Sequence, residues 1–263
     1  MPAILTADGV GKSYGFGSAR MPIIEGLTLS IAKGEFVSLV GPSGCGKTTL
    51  LMCLSGLLAP SDGAVSFKGQ VVDQPPIGLS VVFQDYSRSL LPWKTNLDNV
   101  LFGMRRVQGM DARAKRARAE EILAAVGLTG FGGHYPWQVS GGMQQRVAIA
   151  RGIASQSELL LLDEPLAAVD AQTRADMQDL LLDLAKRFDQ TCVLVTHDVE
   201  EAVYMADRVL VLGPRPTRVV REIVVDLPKP RDQISTREAP AFLRARHEVM
   251  ELIRSMRQGK ALS

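Results

Sequence analysis

Two hydrophobic periods alternate along most of the chain. Short runs that are apolar on both faces predict the strands of a parallel sheet covered by helices on both sides. These runs are "LTLSI", "EFVSLVG", "AVSF", "SVVFQD", "ELLLLDEP", "TCVLVTHD" and "RVLVLGP". Between them, "GKTTLLMCLSGLL", "RADMQDLLLDLAKRF" and "VEEAVYMADRV" carry apolar residues at helical spacing. Strand and helix alternation of this kind predicts an α/β layered core.

The middle of the chain, about residues 95–151, shows only helical periods. We interpret it as a helical subdomain inserted into a core made of about residues 1–94 and 152–230. Within it, the run "RAKRARAE" predicts a solvated helix face with charge pairs four residues apart. The tail, about residues 231–263, predicts a docked terminal helix. Its apolar residues at helical spacing are Phe242, Leu243, Val249, Ile253 and Met256.

Composition narrows the class of protein. The 263 residues are 46% hydrophobic, and 30 basic residues nearly balance 28 acidic ones, so the chain lacks the basic footprint of an obligate nucleic-acid binder. Three cysteines without a CxxC spacing predict a reduced cytosolic chain with neither disulfides nor a zinc site. The sequence shows no secretory signal and no apolar run near the roughly 20 residues that span a bilayer. Any work at a membrane is therefore expected to go through a partner.

A glycine-rich loop carries the clearest chemistry. "GPSGCGKTT" fits the pattern G-x-x-x-x-G-K-S/T and lies between an apolar strand and a helical run. Its backbone amides and the helix N-terminus can face phosphate, Lys47 can reach the β- and γ-phosphates, and the Thr48 hydroxyl can bind Mg²⁺. Cys45 in this loop is either a small space-filling residue or a redox-sensitive thiol. The predicted nucleotide-binding residues are Gly41, Pro42, Ser43, Gly44, Cys45, Gly46, Lys47, Thr48 and Thr49.

Polar side chains follow three of the predicted strands. In "LLLLDEP", Asp163 ends an apolar strand, where it can hold Mg²⁺, and Glu164 can polarise an attacking water. The alternative is that both carboxylates only oppose a helix N-terminus. His197 in "TCVLVTHD" and Gln84 in "VVFQD" carry little weight alone but gain weight together with the loop, as does Tyr14 in "KSYG".

A second candidate anion site lies about a hundred residues after the first. In "VSGGMQQRVAIAR", a serine and two glycines precede a helical run, and Val147 to Ala150 predict its buried stripe. The residues offered to an anion are Ser140, Gly141 and Gly142.

Taken in order, these motifs resemble those of the ATP-binding subunit of an ABC transporter, and the resemblance covers nearly the whole chain. It implies a P-loop NTPase (ABC-type ATPase) core of α/β class, with an N-terminal antiparallel β region and an inserted helical subdomain. The implied activity is ATP hydrolysis with ATP and Mg²⁺. The implied roles are adenine stacking for Tyr14, contact with Mg²⁺ or the attacking water for Gln84, general base for Glu164, γ-phosphate sensor for His197 and communication across a dimer for Asp170.

The same resemblance implies partners and a location. Two copies would close head to tail on two ATP molecules, so that Ser140, Gly141 and Gly142 of one copy complete the site of the other. Integral membrane permease subunits would bind the homodimer at the cytoplasmic face of the membrane, as a peripheral complex served indirectly by an extracytoplasmic solute-binding protein. Nucleic acid is not an expected partner.

Three stretches are similar to the importers for nitrate, sulfonates, taurine and related small anionic solutes. They are "FQDYSRSLLPWKTNLDNV", "YPWQVSGGMQQRVAIARG" and "VDLPKPR". Because the sequence given ends soon after the last of them, no large C-terminal regulatory domain is expected. Val139, Met143 and Ala167 depart from the residues that many ABC proteins carry there. A non-transport ABC ATPase of DNA repair or translation stays the alternative, although long heptad insertions, zinc-spaced cysteines and a second cassette are all missing.

Transport also requires a surface that contacts the permease. "RSLLPWKTNLDNV", just beyond Gln84, offers Leu90, Leu91 and Trp93 around a proline. We hypothesise that these side chains bind a helix of the permease. The alternative is that they pack into the core of the helical insertion.

Overall fold

A computed structural model describes residues 2–15, 20–85, 89–167 and 169–258. Tyr86, Ser87, Arg88 and Ala168, which belong to motifs quoted above, lie outside these ranges. The chain divides into two compact units. Unit 1 contains Met1–Pro76 and Thr191–Ser263, and unit 2 contains Ile77–Gln190.

Strands and helices alternate strictly between residues 159 and 212, as the hydrophobic pattern predicts, whereas elsewhere several strands or several helices follow one another. The runs "LTLSI" and "AVSF" were predicted as parallel strands but lie in antiparallel ones. The strands are β1 (Ala3–Tyr14), β2 (Met21–Ala32), β3 (Phe36–Val40), β4 (Asp62–Phe67), β5 (Gln70–Val71), β6 (Leu79–Val82), β7 (Leu159–Asp163), β8 (Thr191–Thr196), β9 (Arg208–Leu212) and β10 (Val219–Val224). The helices are α1 (Lys47–Leu54), α2 (Asn96–Gly103), α3 (Ala112–Ala125), α4 (Gly141–Ala154), α5 (Ala171–Arg187), α6 (Val199–Met205), α7 (Ser235–Glu238) and α8 (Pro240–Arg257), with 3₁₀ turns at Met104–Arg106 and Pro136–Gln138.

The N-terminal part of unit 1 is an antiparallel sheet, which confirms the β region that the resemblance implies. Its strand order is β2-β1-β4-β5. Strand β1 was not predicted from the hydrophobic pattern, because its pairing with β2 shifts register four times and its alternation is therefore broken. One shift lies beside Gly9, whose φ of 57° favours glycine.

The second sheet of unit 1 supports the phosphate loop. Strand β3 pairs in parallel with β8 on one side and β9 on the other, and β10 is antiparallel to β9. Every residue of β3 and β8 is buried. The prediction of parallel strands covered on both faces is therefore confirmed for these two runs.

Unit 2 contains the parallel pair β6 and β7 and four of the helices. Helices α2 and α4 approach closely, because a Cβ on Gly103 would lie 2.3 Å from the carbonyl oxygen of Arg151. The solvated face predicted for α3 is present, since Arg116 forms an exposed ion pair with Glu120 at 3.0 Å. The helical periods predicted for this region are thus observed, while the predicted boundaries of a separate subdomain stay a prediction.

The tail of unit 1 forms α7 and α8. Phe242 and Val249 of α8 are buried as predicted, whereas Leu243 is exposed, and Ile253 and Met256 are half-buried. Contrary to its prediction, the run "VEEAVYMADRV" is not one helix, because α6 ends at Met205 and Arg208 begins β9. Among the helices of the described ranges, none is both long enough and apolar enough to cross a bilayer.

Candidate functional site

The glycine-rich loop connects the buried strand β3 to helix α1. Gly46 caps the helix with φ 117°, and a Cβ there would lie 2.7 Å from Ile23 Cγ2. A side chain at Gly46 would therefore meet both backbone strain and a clash. Gly44 also has a positive φ, of 73°. Positive φ values at these two glycines let the backbone turn sharply within the loop, as phosphate-binding loops of this pattern require.

Lys47 points into the curve of this loop. Its side chain is buried, and Nζ donates hydrogen bonds to the carbonyl oxygens of Gly41 at 3.0 Å and Pro42 at 3.2 Å. Burying an ammonium group costs desolvation energy unless the group is hydrogen-bonded, and the hydrogen bonds to the loop carbonyls offset part of that cost. The Lys47 ammonium is thereby fixed where phosphate oxygens of a nucleotide could share it.

Thr217 anchors the loop, and this role could not be predicted from local sequence because 172 residues separate Thr217 from Cys45. Its buried hydroxyl donates to the carbonyl oxygen of Cys45. Its backbone N–H donates to the Ile23 carbonyl at 2.8 Å, and its own carbonyl accepts from Glu25 N–H at 3.2 Å. Burial raises the pKa of the Cys45 thiol, which favours the space-filling interpretation over the reactive one.

Two other predicted residues of unit 1 lie at strand ends. Tyr14 is the last residue of β1 and is 44% exposed, with Lys12 Nζ 5.7 Å from its ring centroid. His197 follows β8 and is exposed. Asp198 then caps helix α6, because its Oδ1 accepts from the N–H groups of Glu200 and Glu201 at 2.9 and 3.1 Å. His197 therefore lies between strand β8 and helix α6, next to the residue that caps the helix.

The predicted carboxylates of unit 2 lie at the C-terminal end of strand β7. Asp163 ends the strand and is only 3% exposed, whereas Glu164 is half-buried. Glu164 has φ 44°, a region that non-glycine residues rarely occupy and that recurs at functional sites. Gln84 lies two residues beyond β6 and is exposed. In this unit the polar residues follow the C-terminal ends of two parallel strands, where ligands of such sheets bind.

The oxygen donors predicted to bind a metal are of the kind that Mg²⁺ accepts. No group of three or more His, Cys, Asp or Glu side chains able to hold a metal occurs among the residues described. Mg²⁺ commonly takes one or two protein ligands and fills its other positions with water and phosphate oxygens. Each unit offers one oxygen ligand of this kind, namely the exposed Thr48 hydroxyl in unit 1 and the buried Asp163 carboxylate in unit 2.

Ser140 and Asp170 open onto one cavity of about 560 Å³ within unit 2. Ser140 caps α4 by accepting from Met143 N–H at 3.3 Å, and Asp170 caps α5 by accepting from Thr173 N–H at 3.0 Å. The two helix N-termini are therefore neighbours. The cavity is lined by Gly127, Leu128, Phe131, Ser140, Gly141, Gly142, Met143, Arg146, Val169, Asp170 and Thr173.

The electrostatics of this cavity differ between its two helix ends. Hydrogen bonding from Thr173 lowers the pKa of Asp170, whose carboxylate therefore opposes the positive end of α5. Helix α4 has no acidic residue in its first turn, and its first two residues, Gly141 and Gly142, carry no side chain that could cover their backbone amides. Of the two, the N-terminus of α4 is the end suited to an anion.

In the stretch "RSLLPWKTNLDNV", which was hypothesised to bind the permease, one of the apolar side chains is buried and another is exposed. Leu90 is buried, which contradicts the hypothesis that it contacts a partner and agrees with the packing alternative. Trp93, by contrast, is 71% exposed. The turn that carries it is held by the buried Asn99 side chain, whose Nδ2 donates to the carbonyls of Leu91 at 3.1 Å and Thr95 at 3.0 Å. Asn99 Oδ1 also accepts from Leu91 N–H at 2.9 Å.

Comparison with known proteins gives concordant matches. A family model described as "ABC transporter" matches residues 24–167. An uncharacterised ABC transporter ATP-binding protein of Methanocaldococcus jannaschii is 41% identical over 254 residues, covering 97% of this chain and 92% of that protein. The nitrate import ATP-binding protein NrtC of Synechococcus elongatus is 39% identical over 263 residues, covering 99% of this chain. The chain spans only 40% of the length of NrtC.

Solved structures agree with the sequence matches. The dimeric structure of a post-hydrolysis state of the ATP-binding cassette MJ0796, bound to ADP and Pi, superposes with a TM-score of 0.74. The two chains are 33% identical, and the match covers 84% of this chain and 98% of that one.

Proposed function

Because the chain belongs to the ABC transporter family as an ATP-binding subunit that binds and hydrolyses ATP, we propose that it energises the import of a small anionic solute. Nitrate, sulfonates and taurine are the examples of such solutes that we propose. The observation that carries this proposal is the similarity to NrtC, a nitrate import protein, along 99% of the chain. Family membership covers the ATP-binding subunit, and the proposal adds that the transported solute is a small anion.

We assign the chemistry of the ATP site residue by residue. The loop Gly41–Thr49 binds the phosphates, and Tyr14 stacks on the adenine. Thr48 of unit 1 and Asp163 and Gln84 of unit 2 are each assigned to Mg²⁺, which would neutralise charge on the phosphates when bound. Glu164 accepts a proton from the attacking water, and His197 donates to the γ-phosphate. The left-handed backbone of Glu164 and the buried carboxylate of Asp163 support these roles.

The active form in this proposal is a head-to-tail homodimer. The N-terminus of α4 in one copy binds the γ-phosphate held by the loop of the other, and Asp170 contacts the partner copy. The cavity beside Ser140 and Asp170 supports this arrangement, because it offers an anion-accepting helix end that a single chain does not need for its own loop. The dimeric, ADP-bound and Pi-bound state of MJ0796 gives independent support.

The partners are integral membrane permease subunits, which place the chain as a peripheral protein at the cytoplasmic face of the membrane. An extracytoplasmic binding protein would deliver the solute to them. The direct test is to co-purify the complex from its native membrane and to measure binding of nitrate, sulfonates, taurine and bicarbonate to the recovered binding protein. Recovery without any membrane subunit would contradict the transporter role, and binding of only solutes that lack an anionic group would contradict the anion assignment.

Trp93→Ala is expected to reduce solute transport by the intact complex by about tenfold while leaving basal ATP hydrolysis unchanged. An exposed Trp held on an ordered turn has the character of an interface hot spot, and truncating one typically costs about 2 kcal/mol or more of binding. Transport into proteoliposomes and ATPase activity in detergent measure the two effects separately.

Ile77→Ala provides the matched control, because Ile77 is an exposed apolar residue of the same unit at 77% exposure. It should change neither activity. If Trp93→Ala lowered transport and hydrolysis equally, Trp93 would serve the fold of unit 2 and not the contact with the permease.

A further inference from the structure

Glu200 forms ion pairs with two arginines of the tail. It lies in the first turn of helix α6, three residues after His197. Arg237 Nη1 is 3.0 Å from Glu200 Oε2, and Arg246 Nη1 is 3.0 Å from Oε1. Arg237 belongs to helix α7 and Arg246 to helix α8. A single carboxylate therefore connects α6 to both tail helices, and each of its oxygens has its own cationic partner.

The tail also binds the other end of α6. Arg231, whose side chain is 1% exposed, donates to the carbonyl oxygens of Tyr204 and, at 2.7 Å, Ala206. Carbonyls at a helix C-terminus have no partner within the helix, and a cation there is favourable. The Arg237 guanidinium lies 5.0 Å from the centroid of the Tyr204 ring. Side chains from the tail thus fix both ends of the helix.

Helix α6 depends on such contacts. It has seven residues, and isolated helices of that length are unstable in water. Its N-terminus is rigidly connected to His197, because Asp198 Oδ1 accepts from Glu200 N–H at 2.9 Å and Asp198 N–H donates to Thr196 Oγ1 at 3.1 Å. A shift in the first turn of α6 would therefore be transmitted to the backbone of His197.

We propose that Glu200, held by Arg237 and Arg246, is a positioning residue that orients His197 for ATP hydrolysis. We call these three side chains the Glu200 clamp. The inference rests on the role proposed above for His197. Partly exposed ion pairs are individually weak, so loss of the clamp should shift the orientation of His197 in a fraction of molecules without unfolding the chain.

Variants of the full chain test the clamp. Glu200→Gln removes its anion, and the double variant Arg237→Gln, Arg246→Gln removes its cations while keeping the negative charge near the helix N-terminus. Glu248→Gln is the matched control, because it removes another exposed ion pair of α8, the one with Arg221 of strand β10 at 3.3 Å. The measurements are steady-state ATP hydrolysis against ATP concentration and hydrogen exchange of residues 199–205.

Both clamp variants should lower kcat by about fivefold, because two weak pairs are lost together, and should leave KM for ATP within about twofold. Exchange in α6 should become faster. Glu200→Asp should recover part of the rate, and added salt should lower the wild-type kcat towards that of Glu200→Gln. The control should match the wild type in rate and exchange.

The proposal is overturned if Glu200→Gln matches Glu248→Gln in either measurement, or if the double arginine variant keeps the wild-type kcat. His197→Ala separates this result from the proposed function. Full turnover in His197→Ala would show that ATP hydrolysis does not require His197, which would contradict the role proposed for it above. Loss of turnover in His197→Ala together with a normal rate in Glu200→Gln would refute the clamp alone.

Discussion

Glu164→Gln is expected to bind ATP normally and to hydrolyse it about 10²–10⁴-fold more slowly than the wild type, which is the usual contribution of a general base. The amide has nearly the shape of the carboxylate but cannot accept a proton from water at neutral pH. Since the phosphate loop is unchanged, the variant should accumulate as an ATP-bound dimer. Phosphate release and size-exclusion chromatography with ATP measure the two consequences.

The backbone of Glu164 permits a second variant that separates chemistry from folding. Its φ of 44° costs a non-glycine residue about 1 kcal/mol, which glycine would recover. Glu164→Gly should therefore raise the free energy of unfolding while abolishing hydrolysis. Glu120→Gln, which removes an exposed carboxylate of α3, should change neither. Turnover near the wild-type rate in Glu164→Gln would show that another group accepts the proton.

The fold was predictable where one physical effect dominates the sequence. Strands β3, β7 and β8 are buried along their whole length, so their sequences are apolar throughout and easily recognised. Strand β1 was missed because its glycines and register shifts break the alternation by which exposed sheets are recognised. The end of α6 was missed because "MADRV" continues a helical period, although the chain turns at Ala206 to begin β9.

The candidate site was predictable only in its local parts. The loop before Lys47 and the carboxylates after β7 are local patterns, and the structure places them at strand ends as expected. Thr217 and Arg231 act on segments distant in sequence, and their own neighbours carry no special pattern. Likewise, spacing gives no sign that Leu90 is buried and Trp93 exposed, because side chains so close together on a turn can face opposite ways.

Ser140→Arg is expected to abolish turnover, with a loss of about 10²–10³-fold or more, while the monomer keeps its affinity for ATP. Loss of one well-placed group that stabilises charge in a transition state typically has an effect of this size. Arginine also places a long side chain at the entrance of the cavity that α4 and α5 share, which should obstruct a partner's nucleotide. Fluorescent ATP binding at low protein concentration reports the monomer, and phosphate release at high concentration reports the dimer.

Ser140 also caps helix α4, so the structural role must be separated from the catalytic one. Ser140→Asp keeps the cap, since aspartate accepts from the same backbone amides and opposes the positive helix end. It nevertheless places a negative charge where the γ-phosphate of the partner's ATP would bind, so it should lose turnover as Ser140→Arg does. If Ser140→Asp stayed active, Ser140 would serve the helix alone. If ATP binding by the monomer failed in Ser140→Arg, the serine would contact the nucleotide of its own chain, and the α4 terminus would no longer argue for a dimer.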